Sequence, residues 1–173
     1  MLGATPDKEH AMAIAVGERI PDVELRSMTA EGPRPVGSLD ALGHGTVVLF
    51  AVPGAFTPTC SDHHLPGFLV RADEIRARGV DTIACVSVND TFVMGAWARD
   101  QRVGDRILML ADGNGEFAKA MGLELDGTGF GLGLRSQRYA AILDDGVVRS
   151  LFVETNPGLD VSSAESVLSA LSS

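Results

Sequence analysis

Apolar and polar positions along the chain alternate between two kinds of pattern. Three runs are almost continuously apolar and β-branched: GTVVLFAV at 45–52, VDTIACVSV at 80–88 and DRILMLAD at 105–112. Such runs predict strands buried on both faces of a sheet. Between them lie stretches with helical spacing. In 60–79 the apolar residues Leu65, Phe68, Leu69, Ala72 and Ile75 recur every three or four positions and Gly79 supplies the stop, with Pro66 predicting a kink. A helix over 89–103 is predicted with Asn89 or Asp90 as its cap, and a short one over 113–123. Residues 137–154 read as a hairpin turning at Asp145-Gly146, and 160–171 as a final capped helix. GERIPDVELRSM, at 17–28, is a short extended segment. The stretch 32–45 is predicted as loop with a helical turn at Ser38–Leu42, and residues 1–13 as a flexible lead-in.

The resulting order, β-α-β-α-β-α-β-β-α, predicts an α/β protein with a mixed central sheet and helices on both faces. With 173 residues, one domain over 14–173 is expected and its core needs no staples. No repeat or low-complexity tract interrupts it. The 45% hydrophobic and 21% charged composition is that of a globular chain. A net charge of −9 and a pI near 4.8 argue against nucleic acid and anionic membrane partners. No apolar run reaches the roughly 20 residues of a membrane helix, and no signal peptide is read at the start. Two cysteines do not make a disulfide framework, which fits a reducing cytoplasm.

The chemistry concentrates at VPGAFTPTCSDHHLP, 52–66. Cys60 follows the carboxyl end of a buried strand and opens a helix, the place where open α/β sheets bind ligands. Unpaired amides and the helix dipole favour an anion there, and thiolates in such settings are stabilised. Thr59 is the expected N-cap, with Asp62 as its capping-box partner. Ionisation alone raises the reactive fraction only tenfold to roughly fiftyfold, because an ordinary cysteine is already a few per cent thiolate at pH 7. Donors aimed at the developing charge must supply the rest. Thr57, three residues upstream, and an arginine are the candidates.

These residues carry a resemblance. Pro53-Gly54-Ala55-Phe56-Thr57-Pro58-Thr59-Cys60, followed by Ser61, His64, Leu65, Pro66 and Gly67, closely resembles the active-site signature of peroxiredoxins, most of all the type II, peroxiredoxin-five-like branch. ACVSVND (84–90), Trp97, MLAD (109–112) and RSQRYAAILDDG (135–146) extend it from about Gly17 to the C-terminus. The resemblance implies a thioredoxin-like fold and thiol-dependent reduction of hydroperoxides. Cys60 would be the peroxidatic cysteine, passing through a sulfenic acid. Thr57 would hold thiolate and peroxide, and Pro53 would wall the pocket. The family arginine precedes an aromatic residue on a strand, which selects Arg138 before Tyr139. Arg135, in the preceding loop, is the alternative.

Cys85 reads as a small core residue from composition, or as a resolving cysteine from the resemblance. It lies three residues short of the predicted strand end at Val88, roughly 10 Å deep, whereas a disulfide needs Cα atoms within about 7 Å. A one-cysteine cycle closed by an external thiol is favoured, with glutaredoxin and glutathione or thioredoxin as reductant. His63 and His64 form C-x-x-H-H with Cys60, but no second ligand pair follows, so no metal is expected. His64 matches the family as a packing and hydrogen-bonding residue. The glycine-rich 126–136 lacks the context of a nucleotide loop and reads as a mobile loop near the pocket; no cofactor is expected. A homodimer is implied, with Phe56, Phe92 and Trp97 as candidate interface residues. Two other functions stay open. A thioredoxin-type oxidoreductase is disfavoured because position 63 is histidine, not cysteine. A non-enzymatic redox-relay or chaperone dimer is the other.

Overall fold

The computed structural model describes residues 12–172, and the lead-in expected at 1–13 lies, except for its last two residues, outside them. Among the described residues nine strands form: β1 Glu24–Thr29, β2 Gly32–Gly37, β3 Thr46–Val52, β4 Thr82–Ser87, β5 Leu108–Ala111, β6 Glu124–Asp126, β7 Leu134–Ser136, β8 Tyr139–Asp144 and β9 Val147–Val153. The helices are α1 Ser38–Leu42, α2 Leu65–Ala77, α3 Thr91–Asp100, α4 Glu116–Met121 and α5 Ala164–Leu171. A π-helical turn, Cys60–His64, precedes α2.

Seven strands make one mixed sheet in the order β2-β1-β5-β4-β3-β8-β9, with β3, β4 and β5 parallel and the flanking strands antiparallel. Strand β3 is buried along nearly its whole length because both faces are covered. Val48, Phe50 and Val52 face a core shared with α2, α3 and α5. Val47, Leu49 and Ala51 face a second core with α1 and α4. The period of two along one strand thus separates the two layers.

The strands and the core correct three of the expectations. Residues 32–37, predicted as loop, are strand β2, paired in register from Glu24↔Gly37 to Thr29↔Gly32. Pro33 and Pro35 fit because β2 is an edge strand, where a missing N–H costs no ladder bond. Residues 126–136, predicted as a mobile loop, form a short ribbon: β6 pairs β7 from Glu124↔Ser136 to Asp126↔Leu134, around a 3₁₀ turn at Thr128–Phe130. Trp97, offered as an interface residue, is fully buried in the α2/α3 core. The 145–146 hairpin forms as expected, with φ of 48° at Asp145 and 83° at Gly146, the positive pair a two-residue turn of this kind requires.

Candidate active site

The sheet delivers three segments to one point, the carboxyl end of β3. The chain leaves β3 at Val52 and turns through Pro53–Thr57. Parallel β4 ends beside it, with Ser87 opposite Val52. Antiparallel β8 begins beside it, with Tyr139 opposite Ala51. Arg138, one residue earlier, therefore arrives level with the loop that carries the thiol.

That loop is held from below. The Ala55 amide donates to Asn89 Oδ1 at 3.0 Å, and the Ser87 hydroxyl donates to the same oxygen at 2.5 Å. Phe56 sits at φ 67° with its ring half exposed, a strained conformation for a bulky residue. The Thr57 hydroxyl donates to the Gly54 carbonyl at 2.6 Å, so its proton is committed and its lone pairs remain to accept.

The start of the following helix differs from expectation. Thr59 has helical dihedrals and makes no side-chain cap, so the predicted Thr59–Asp62 capping box does not form. The helical turn begins earlier, with Ser61 N–H bonded to Thr57 carbonyl at 2.9 Å. Pro66, predicted as a mid-helix kink, sits in the first turn of α2. Its missing N–H could not bond to Asp62, and the turn before it widens to i→i+5, with Leu65 N–H reaching the Cys60 carbonyl. α3 braces this turn: Trp97 Nε1 donates to Ser61 Oγ at 3.0 Å and Gln101 Nε2 to the Ser61 carbonyl at 3.2 Å.

Cys60 is fully buried, yet it is not sealed in apolar packing: Arg138 Nη2 donates to its sulfur at 3.3 Å. Arg138 is only 9% exposed, and its other terminal nitrogen, Nη1, donates to His64 Nδ1 at 2.9 Å. His64 Nε2 bonds the Ser162 carbonyl at 2.9 Å. A guanidinium can only donate and a carbonyl can only accept, so His64 must be the neutral tautomer protonated at Nε2. Burial, and next the Arg138 charge, push its pKa down to about 3, against a backbone hydrogen bond that works the other way. Phe50 and Phe68 stack at 4.1 Å and flank the imidazole, with ring centroids 5.0 and 5.6 Å from it. His63 is exposed, whereas Cys60 and His64 are buried, so the C-x-x-H-H residues do not share one environment.

Ser162 is anchored in turn. Glu154 Oε2 accepts from the Asp160 and Ser162 amides, both at 2.8 Å, and from the Ser162 hydroxyl at 2.7 Å. Burial raises the Glu154 pKa, but these hydrogen bonds outweigh it and the net direction is down. Glu154 N–H also bonds the Arg138 carbonyl at 2.9 Å. A continuous chain therefore runs Glu154–Ser162–His64–Arg138–Cys60.

Cys85 lies on β4 opposite Phe50, two residues short of the strand end, and faces the same core as Cys60. Both thiols are free. Burial first, then the proximity of Cys60, raise the Cys85 pKa far above the usual thiol value, against a smaller opposing effect of Arg138. Cys85 is thus held as a neutral thiol. Arg135, expected in a loop, lies on β7 and bonds carbonyls, not the sulfur. Of the two candidate arginines the geometry selects Arg138. Sequence reasoning missed Ser162, Glu154 and Asn89 as parts of this framework.

The sequence profile of the Redoxin family matches residues 15–168. A chloroplastic peroxiredoxin-2E of Arabidopsis thaliana is 48% identical over 163 residues, covering 92% of this chain and 70% of its own length. The chain belongs to the peroxiredoxins. The hybrid peroxiredoxin hyPrx5 of Haemophilus influenzae is 40% identical, covering 92% and 67% respectively. Reduced Prx3 of Vibrio vulnificus, solved in complex with hydrogen peroxide, superposes with a TM-score of 0.87 at 55% identity, covering 91% of this chain and 99% of that one. These similarities place this peroxiredoxin in the type II, peroxiredoxin-five-like branch with a thioredoxin fold. Its activity is that of a thiol-dependent peroxidase.

Proposed function

We propose that this peroxiredoxin reduces hydrogen peroxide and alkyl hydroperoxides at Cys60 and is recycled by an external thiol. The observation that carries the assignment is the 3.3 Å contact from Arg138 Nη2 to the Cys60 sulfur. The Cys60 thiolate attacks the terminal peroxide oxygen. An S–O bond forms, the O–O bond breaks, and the leaving oxygen takes a proton and departs as water or alcohol. Sulfur is oxidised by two electrons and the peroxide reduced by two, giving a sulfenic acid. Arg138 supplies a permanent charge to thiolate and breaking bond. Thr57, its proton already given to Gly54, accepts the hydroperoxide O–H and orients the peroxide for attack. Pro53 walls the mouth. His64, neutral and hydrogen-bonded at both nitrogens, fixes the guanidinium plane.

Cys85 serves as a core residue in this reading, since it is buried on a strand and held protonated; a Cys60–Cys85 bond would require the Cys60 turn to unwind. The reductant is glutaredoxin with glutathione, or thioredoxin. Two free cysteines suit a reducing compartment such as the cytoplasm. Phe56 and Phe92, both exposed and flanking the site loops, support a homodimer. Peroxide consumption with dithiothreitol tests the assignment. Cys60→Ser should abolish turnover and Cys85→Ser should keep most of it. Turnover surviving in Cys60→Ser would reject it.

A further inference from the structure

Arg135 borders the loop that carries the thiol and, among the described residues, has no carboxylate in an ion pair with it. Its Nε donates to the Leu132 carbonyl at 2.9 Å and its Nη1 to the Val88 carbonyl at 3.1 Å. A Cβ on Gly54 would lie 3.3 Å from Arg135 Nη1 and 3.1 Å from Thr57 Cγ2. The guanidinium therefore borders the same Pro53–Thr57 loop that presents Thr57, and a side chain at 54 would crowd both. A guanidinium carries five N–H groups, so three remain, two of them on Nη2. Both tethers are to uncharged carbonyls. Among the described residues, the arginines in ion pairs with carboxylates are Arg26, Arg34, Arg71 and Arg149, and neither Arg135 nor Arg138 is among them. In a chain of net charge −9, Arg135 is thus a positive charge beside the Pro53–Thr57 loop with no carboxylate in an ion pair with it.

We infer that Arg135 recognises a carboxylate on the thiol that reduces the Cys60 sulfenic acid. The inference rests on the peroxidase reading above. In that step a thiolate attacks the sulfenic sulfur. The new S–S bond forms as the S–O bond breaks, and the oxygen leaves with a proton as water. A second thiol then attacks the mixed disulfide, releasing the oxidised disulfide and restoring the Cys60 thiolate. A thiolate that also bears a carboxylate is a dianion, which an acidic protein repels unless a cation meets it. Arg138 is committed to the sulfur and to His64; Arg135 sits at the rim, held rigid before the reductant arrives, which lowers the entropy cost of binding.

A matched pair of probes tests this: mercaptopropionate and uncharged mercaptopropanol, each reducing the peroxide-oxidised protein in rapid-mixing experiments with hydrogen peroxide as oxidant. The reading is the ratio of their rate constants. Arg135→Met should lower that ratio about fivefold, the scale of a partly exposed ion pair. Arg135→Lys, which keeps the charge, should restore part of it. Added salt should lower the ratio in the wild type but not in Arg135→Met. Ratios that match between wild type and Arg135→Met, at low and high salt, would overturn the inference, whatever the absolute rates. A second arm uses a carboxylate-bearing hydroperoxide with mercaptopropanol; charge discrimination confined to that arm would move the carboxylate from reductant to substrate and overturn the inference as stated. No peroxide consumption by the wild type with either thiol would instead sink the underlying peroxidase reading.

Discussion

Acidification should unlock this site through one residue, His64. In the folded protein its pKa lies near 3, against an ordinary value of 6.5. Protonation places an N–H on Nδ1 against the Arg138 Nη1–H and sets two cations 2.9 Å apart in a buried setting. The sign follows from linkage. Below pH 6.5 the unfolded chain binds a proton at this histidine and the folded chain does not, so stability is full above 6.5 and falls as the pH drops towards 3. Each pH unit inside that window costs about 1.4 kcal/mol, and the whole window about 4–5 kcal/mol. Glu154, whose pKa is depressed, contributes stability that persists above the carboxylate range and is lost only at lower pH. From pH 7.5 to 5 the difference between wild type and His64→Gln therefore reads the histidine. Over that range the wild type should lose about 2 kcal/mol, a fall in urea midpoint of roughly 1 M. His64→Gln should be less stable at pH 7.5 by about 1–3 kcal/mol, since one buried hydrogen-bond partner is left unmet. Its midpoint should nevertheless change little with pH. Equal slopes for reduced wild type and variant would refute the argument that a neutral imidazole holds Arg138.

Three further outcomes follow from the same geometry. Glu154→Gln should loosen the Asp160–Ser162 segment, lowering stability by about 1–2 kcal/mol in urea titrations and slowing peroxide reaction severalfold, because Ser162 orients His64. Gly54→Ala should lower the peroxide rate constant while leaving the far-UV dichroism intact, since its Cβ would press on Thr57 Cγ2 at 3.1 Å and Arg135 Nη1 at 3.3 Å. Phe56→Asn, which tolerates positive φ, should raise the urea midpoint, the relief of strain being on the order of 1 kcal/mol; a lower midpoint would show that the Phe56 ring is held by packing within the chain.

The sequence made the parallel core legible because β3, β4 and β5 are buried on both faces and read as continuous apolar runs. It made the thiol legible because Cys60 follows one of them directly. Strand β2 escaped because its prolines speak for loop, and only its edge position makes them acceptable. The β6–β7 ribbon escaped because its glycines hide a pairing that depends on a tight 3₁₀ turn. The capping box failed because Pro58 and Thr57 had already begun the helix before Thr59. The polar framework behind the thiol was least legible. Ser162 acts on His64 through its main-chain carbonyl, which its side chain does not encode. Glu154 is 16 residues from Arg138 along the chain and is brought beside it by the β8–β9 hairpin, which pairs Tyr139 with Val153. Asn89 and Asp90 both read as candidates for the helix cap; Asp90 takes that role, leaving Asn89 to hold the Ala55 amide.

The most direct measurement mixes reduced protein rapidly with hydrogen peroxide and follows the single tryptophan, Trp97, which is hydrogen-bonded to Ser61 beside the thiol. The wild type should show a fast second-order signal, with intact mass reporting the gain of one oxygen. Arg138→Met should retain the alkylatable Cys60 thiol but react at least about 10²-fold more slowly, the scale of losing a donor aimed at developing charge. An Arg138→Met protein that reacts as fast as the wild type would contradict the claim that this guanidinium activates the site.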